Sequence, residues 1–491
     1  MRNRLRTMLL PLTTRHGATG PTAVTRRTQW TVLLSLVALA VMSMAMLSSV
    51  TSLTSLSTLR HPAPTPTPTL AAREEALKKR EQRRRWTTYQ AEQLSRISQR
   101  ATQPRGIVMP LFDKIAFLGF SLILELRAMH VDLPIEIPHC GDLDPHLQRK
   151  LQENDAQVRI YDVCQEALTY SVRDNDERKL FCRNMNECRR RFRGFDIKIV
   201  ALLLSRFDEV MMLDADALFF ASPMRLWESP KYIETGTLFF HDRVSCDHEF
   251  LAARRRPNGA NMTHLQEYLT YFDVEPFQKF ATVPRPKATS TPARHFSLPF
   301  SPSEFLVTSH SWNDRAGHQA DSSVMLWNKK RQQRATAILA SFIALNGIGR
   351  PPSYGDKEFY FISCELAESN YAFSDYGVGA IGLDARDKDK DGQAVLCGDA
   401  LHYLPDDMDV ADPPLFYMNS DHITSWTAKD KLYRTVARPA SLYPGKVEER
   451  GLAQECPFDV TLRRIEPEQA VLLTRRHKFH DTVVSWNATR P

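Results

Sequence analysis

The chain has 491 residues, 43% hydrophobic and 25% charged, with a formal net charge of +7; this is enough chain to bury a large core and too apolar a composition for disorder. The charge is uneven: residues 1–105 hold 17 Lys and Arg against 4 acids, leaving 47 bases and 53 acids, or −6, for the other 386. A mildly acidic folded part with no aromatic and basic reading surface excludes the electrostatic footprint of nucleic-acid binding.

In chain order, residues 30–50 carry no charge and are long enough to cross a bilayer once. Arg2, Arg4, Arg6, Arg15, Arg26 and Arg27 precede them and no base follows until Arg60, so the positive-inside rule predicts a cytosolic tail (1–29), a retained single transmembrane helix (30–50) and a luminal remainder. A cleaved signal sequence is the alternative. Residues 61–69 alternate Pro with Thr and predict an extended spacer. Residues 71–100, rich in Lys and Arg, predict a solvated helix that completes a stem (51–105).

From residue 106 to the end, short apolar runs alternate with helical patterns, which predicts an α/β domain with a mostly parallel sheet. Strands are expected at 106–109, 135–138, 157–162, 210–213, 236–240 and 323–327, and helices at 117–130, 146–154 and 197–207. A Pro- and Ser-rich stretch at about 254–318 is too long for a simple connection and predicts an insertion or acceptor loop. Eight cysteines (Cys140, Cys164, Cys182, Cys188, Cys246, Cys364, Cys397, Cys456) all follow the stem, none in a C-x-x-C pair, so one to four disulfides are expected, with Cys182 and Cys188 suited to a short loop. Two sequons, at Asn261 and Asn487, fit a luminal domain.

The apolar run ending at Leu213 delivers Asp214 and Asp216 one residue apart. In a strand that spacing puts both carboxylates on one side, at the strand end where open α/β sheets bind ligands. Carboxylate oxygens there suit Mg²⁺ or Mn²⁺ holding a diphosphate, the Asp-x-Asp arrangement of nucleotide-sugar glycosyltransferases. The rival is a phosphatase strand ending Asp-x-Asp-x-Thr/Val, and Leu218 in the last position argues against it.

The ordered set Gly106-Ile107-Val108-Met109, Leu126-Arg127, Leu133-Pro134-Ile135-Glu136, Gly141-Asp142, Lys198, Leu213-Asp214-Ala215-Asp216, the stretch 232–243, Gln319-Ala320-Asp321-Ser322 and Gly355-Asp356-Lys357-Glu358 resembles the fungal-type α-mannosyltransferases of glycosyltransferase family 71 over about 106–423. The resemblance implies a GT-A fold (a Rossmann-like mixed sheet flanked by helices), GDP-mannose as donor, Mn²⁺ or Mg²⁺, and retaining transfer to a mannose-terminated glycan. It implies a type II Golgi membrane protein, with a place in a Golgi transferase complex. The chain departs from the family at Gln319-Ala320-Asp321-Ser322, where Glu-Ser-Gly is common, and in its long insertion.

The residues assign Asp216 to the metal and Asp214 to the metal or the donor ribose. His402, in Ala400-Leu401-His402-Tyr403, and His422, after the run 415–418, are each expected to follow a short strand and are the two candidates to complete the metal site, with His422 preferred. Lys198 is either a solvated lysine or a donor-phosphate contact. Arg243 either holds the diphosphate or pairs with Asp242. Asp356 is a helix N-cap or, in the resemblance reading, a catalytic carboxylate facing donor sugar or acceptor, with Asp321 its rival. Alternatives from other classes are a catalytically idle Golgi scaffold and a luminal phosphohydrolase; among transferases, a UDP-hexose donor competes.

Overall fold

The computed structural model describes residues 70–488 except 173–177, 245–247, 291–295, 384–395, 397, 406–411, 421, 428 and 441–459. The chain divides into two units, residues 1–75 and 76–491, and the second carries the fold. The expected tail, anchor and Pro/Thr spacer lie outside the described residues, as do Cys246, Cys397 and Cys456. Among the described residues no helix is long and apolar enough to cross a membrane.

The first strands are β1 (Gln103–Val108), β2 (Ile135–His139), β3 (Val158–Asp162), β4 (Phe207–Leu213), β5 (Ala217–Phe219) and β6 (Thr237–His241). A short ribbon, β7 (Arg254–Arg255) with β8 (Met262–Thr263), precedes β9 (Ala320–Asn328). The chain ends with β10 (Gly379–Leu383), β11 (Asp399–Tyr403), β12 (Leu415–Asn419), β13 (Leu432–Thr435), β14 (Leu462–Arg464) and the helix Pro467–Ala488.

One sheet has the order β3-β2-β1-β4-β9-β6. β1 to β4 run parallel and β9 turns antiparallel to β4 and β6. Parallel neighbours need crossovers, supplied by helices that include Ala116–Ala128, Pro145–Asn154 and Asp196–Leu204. Both faces are covered: Val108, Val210, Met212 and Met325 enter one core, while Ile107, Met211, Leu213 and Val324 enter the other. That two-sided burial makes β4 read as a continuous apolar run. A Cβ on Gly106 would lie 2.3 Å from the Phe207 ring, so glycine lets that ring lie across β1.

The second sheet, β14-β13-β10-β11-β12-β5, is antiparallel throughout. It is absent from the sequence expectation apart from the run that became β12. The Asp-x-Asp turn lies between β4, in the first sheet, and β5, in the second.

One expectation needs correction. The helix Leu70–Ser98 is not a solvated stem along its whole length. Ala91, Leu94 and Ile97 are buried in the core, Trp86 and Tyr89 pack against it, and Gln90 Nε2 donates to the Leu345 carbonyl at 2.7 Å. The stretch 254–318 is packed, with Leu265, Leu269, Phe277, Leu306 and Trp312 in the same core. The helix Phe359–Leu366 is buried on every side. Disulfides join Cys140 to Cys164 and Cys182 to Cys188, and Cys364 is a buried thiol.

Candidate active site

Asp214 continues the ladder beyond β4, its amide donating to the Ser323 carbonyl at 2.8 Å. β5 then pairs with β12, and the Ser420 amide donates to the Asp216 carbonyl at 3.0 Å. The turn is therefore held by both sheets. Lys198 comes from the helix Asp196–Leu204, whose residues are buried except Ile197. Its Nζ lies 2.7 and 2.8 Å from the two Asp214 oxygens, 3.2 Å from the Ser322 carbonyl and hydroxyl, and 3.9 Å from Asp356 Oδ1. The solvated-lysine reading is thus overturned.

The electrostatics follow from this crowding. Burial disfavours the Lys198 ammonium, but Asp214 and Asp356 outweigh it and raise its pKa. Burial pushes Asp214 up to about 7 against the pull of Lys198, and the Asp216 charge adds to the rise. The Asp214 side chain keeps 27% exposure, so the recess is open at one end.

Each residue of Gly355-Asp356-Lys357-Glu358 has its own task. Gly355 has φ +69°, and a Cβ there would meet the Phe195 ring at 2.8 Å. Asp356, 1% exposed, accepts from the Tyr360 hydroxyl at 2.9 Å. It does not cap the following helix, which has Glu358 at its N-cap with no side-chain cap bond. Lys357 donates to Asp242 Oδ2 at 2.6 Å; burial opposes its charge, and Asp242 and Asp321 hold its pKa up. Glu358 accepts the Gln319 and Ala320 amides at 3.0 and 3.2 Å, fixing the start of β9.

The histidines separate. His402 lies within β11, not after a strand; its Nε2 is 3.0 Å from Asp321 Oδ2 and its ring stacks on Tyr417 at 4.3 Å. Its partner in this structure is therefore Asp321. Burial works against the Asp321 charge, yet His402, Lys357 and the Ser323 amide hold the carboxyl well below the usual range. His422 follows β12 and is exposed, with Nδ1 3.1 Å from Asp399 Oδ2; the neighbouring Ser420 reaches the Asp216 backbone. Arg243 Nη2 lies 3.5 Å from the Gly398 carbonyl, and its amide donates to Asp242 Oδ1 at 2.8 Å. Lys357 reaches the other oxygen of the same Asp242 carboxylate.

Two cavities meet at the turn. A groove of about 360 Å³ runs from Leu111, Phe112, Ile115 and Leu118 to Asp214 and Asp216, outside the ends of β1 and β4, where the strand order reverses. A chamber of about 550 Å³ is lined on the other side by Asp214, Asp216, Asp242, Asp321, Asp356 and Asp399 against Lys198, Arg243 and Lys357. Six acids against three bases give its described walls a formal charge of −3, the donor chemistry a divalent cation answers. Among the described residues the one trio of metal-capable side chains within reach of a single ion is Cys140, Asp162 and Cys164, and its sulfurs form a disulfide. The two Asp carboxylates and a histidine are not gathered into a finished ring.

Sequence reasoning missed Arg476. This fully buried residue of the helix Pro467–Ala488 donates from Nη2 to the Ala215 carbonyl at 3.0 Å and the Leu118 carbonyl at 2.9 Å, and from Nη1 to buried Glu125 at 2.8 Å. It holds the middle of the Asp-x-Asp turn from 261 residues away. A charged helix at the chain end was the only signal that could have pointed to it.

A family model described as "Mannosyltransferase putative" matches residues 104–404, more than half of the chain, and the chain belongs to that family. It is 26% identical over 280 residues to "Putative alpha-1,3-mannosyltransferase MNN14" of Candida albicans, covering 57% of this chain and 36% of that one. It is 26% identical over 291 residues to "Alpha-1,3-mannosyltransferase MNT3" of Saccharomyces cerevisiae, covering 58% and 41%. The chain thus spans less than half the length of these relatives. Among solved structures it overlaps mouse xyloside xylosyltransferase 1 (13% identity, 55% of this chain and 85% of that one, TM-score 0.27) and the galactosyltransferase LgtC (13%, 47% and 59%, TM-score 0.22). These overlaps are partial, and the family match and the site geometry carry the reasoning that follows.

Proposed function

We propose that this chain is a metal-dependent α-mannosyltransferase with a GT-A type catalytic unit, moving mannose from GDP-mannose to a mannose hydroxyl of a glycan with retention, and anchored in the Golgi membrane by residues 30–50. The observation that carries this is the Lys198, Asp214 and Asp356 cluster at the carboxyl edge of parallel strands, in a chain of a mannosyltransferase family. The activity in the names of the relatives supports mannose as the sugar.

Asp214 and Asp216 would hold Mn²⁺ or Mg²⁺, with His422 the better placed histidine. Bound there, the ion supplies positive charge against the departing diphosphate. Lys198 favours the ionised form of Asp214 against the effect of burial and fixes the carboxylate, since its ammonium straddles both oxygens. Arg243 and Lys357 add positive charge on the chamber side. Both candidate carboxylates line the chamber and both are already hydrogen-bonded, Asp321 by His402 and the Ser323 amide and Asp356 by the Tyr360 hydroxyl, so both stay candidates to accept a sugar hydroxyl.

The test uses full-length protein in detergent with GDP-mannose, UDP-glucose or UDP-galactose, α-mannobiose as acceptor, and Mn²⁺ or EDTA. GDP release and mannosyl transfer only with Mn²⁺, lost in Asp216→Ala, are expected. Turnover of a UDP-sugar would overturn the donor assignment, and silence of a folded protein with every donor would favour the scaffold reading.

A further inference from the structure

We infer that Tyr354 and Phe195 form an aromatic platform that binds the apolar face of the acceptor's pyranose ring. The inference rests on the mannosyl-transfer reading and assigns it a second subsite. Both rings are half exposed, Phe195 at 52% and Tyr354 at 49%, and their centroids are 5.6 Å apart. Scattered exposed aromatics need no explanation, but a paired set bordering a carboxylate-lined chamber does.

Both rings are fixed before any ligand arrives. Phe195 rests on Gly355, where a Cβ would collide with it. Tyr354 is braced edge-on by Phe250 at 5.4 Å and has Lys357 Nζ 5.8 Å from its centroid. Such a surface offers flat apolar area without losing side-chain freedom on binding. Beside it, the Lys357 and Asp242 pair supplies a donor and an acceptor for ring hydroxyls. Two aromatic rings inclined at 53° to one another and edged by paired polar groups suit a pyranose, which presents C–H groups on its face and hydroxyls at its rim.

The position selects the acceptor over the nucleobase. The apolar groove of Leu111, Phe112 and Ile115 lies on the β1 side of the Asp-x-Asp turn, and Tyr354 does not line it. Tyr354 lines only the chamber on the far side, while Phe195 borders both. A donor stretched across the turn from groove to chamber would leave Tyr354 facing the incoming sugar.

The test measures the KM for α-mannobiose at saturating GDP-mannose in the full-length protein carrying Tyr354→Ala, Tyr354→Phe or Tyr354→Trp. The Ala variant is expected to raise acceptor KM about tenfold, with Phe and Trp returning it to within about threefold of the parent, because a flat ring is what matters. Saturation-transfer NMR of α-mannobiose on parent and Ala variant reads the same binding without turnover. An unchanged acceptor KM and NMR signal in Tyr354→Ala overturns the platform, and so does a loss that falls on the KM for GDP-mannose. If the parent turns over no GDP-mannose, the functional reading fails; a saturation-transfer signal present in the parent and abolished in Tyr354→Ala would still uphold the platform, and the absence of signal from both proteins would overturn it too.

Discussion

Replacing Arg476 by Met should damage both the stability of the fold and the affinity of the Asp-x-Asp turn for metal. The substitution keeps the length and apolar stem but removes a guanidinium that is fully buried, leaving the Glu125 carboxylate, also 0% exposed, with one of its two arginines. Breaking a buried ion pair from one side costs about 3 to 5 kcal/mol. Arg475 still reaches Glu125 Oε1 at 3.2 Å, so the lower end, about 3 kcal/mol, is expected, or roughly a hundredfold in the folded-to-unfolded ratio. Urea unfolding of the full-length protein reads this as a lower midpoint at unchanged m. Arg476→Met with Glu125→Met should cost less than the sum of the two single changes, since the double variant strands no buried charge. The Ala215 carbonyl loses its donor in either case, so Mn²⁺ binding measured by electron paramagnetic resonance should weaken even where the double variant regains stability. A single variant that loses under about 1 kcal/mol and binds Mn²⁺ as the parent does would refute the reasoning.

Other outcomes follow from the same geometry. Lys198→Met strands Asp214 and Asp356 against each other and should lower the unfolding free energy by about 3 kcal/mol in EDTA, with Mn²⁺ restoring part of the loss; a urea midpoint indifferent to Mn²⁺ would count against Asp214 as a ligand. Asp214 has a folded-state pKa raised to about 7 by burial, against about 4 when unfolded. Its contribution to the metal-free fold is therefore complete below pH 4 and lost as pH rises through 7. Urea midpoints in EDTA should fall between about pH 4 and 7 and level off above it, Mn²⁺ should bind more tightly as Asp214 loses its proton through about pH 7, and Asp214→Asn should flatten the stability trend. Removing residues 1–102 takes Ala91, Leu94 and Ile97 from the core and should leave a protein prone to aggregation, whereas removal of 1–69 alone should retain cooperative unfolding.

The first sheet and the Asp-x-Asp turn were legible because burial on both faces writes a strand as an unbroken apolar run, and two carboxylates ending such a run stand out. Lys198 was ambiguous because its helix is buried nearly all round, so no polar face marked which way the lysine points. Its burial came from partners 16 and 158 residues along the chain, Asp214 and Asp356. The choice between His402 and His422 turned on Asp321, 81 residues from His402, a pairing that periodicity does not encode. The second sheet escaped because its strands are only three to five residues long and antiparallel, too short to separate from loop by alternation. The core role of the helix Leu70–Ser98 was hidden by its charge, since Arg84 faces Asp273 while Ala91 and Leu94 face inward.

The turn that bears Asp214 and Asp216 joins one sheet to the other, and this has a bearing on biogenesis. β5 has no ladder partner until β12 has emerged, and the Ala215 carbonyl has no guanidinium until Arg476 has. A chain made from its amino end can assemble the parallel strands early, but the carboxylate turn stays open until the last helix docks. A prematurely terminated chain would therefore carry the two carboxylates on a turn without the ladder and the guanidinium that hold it.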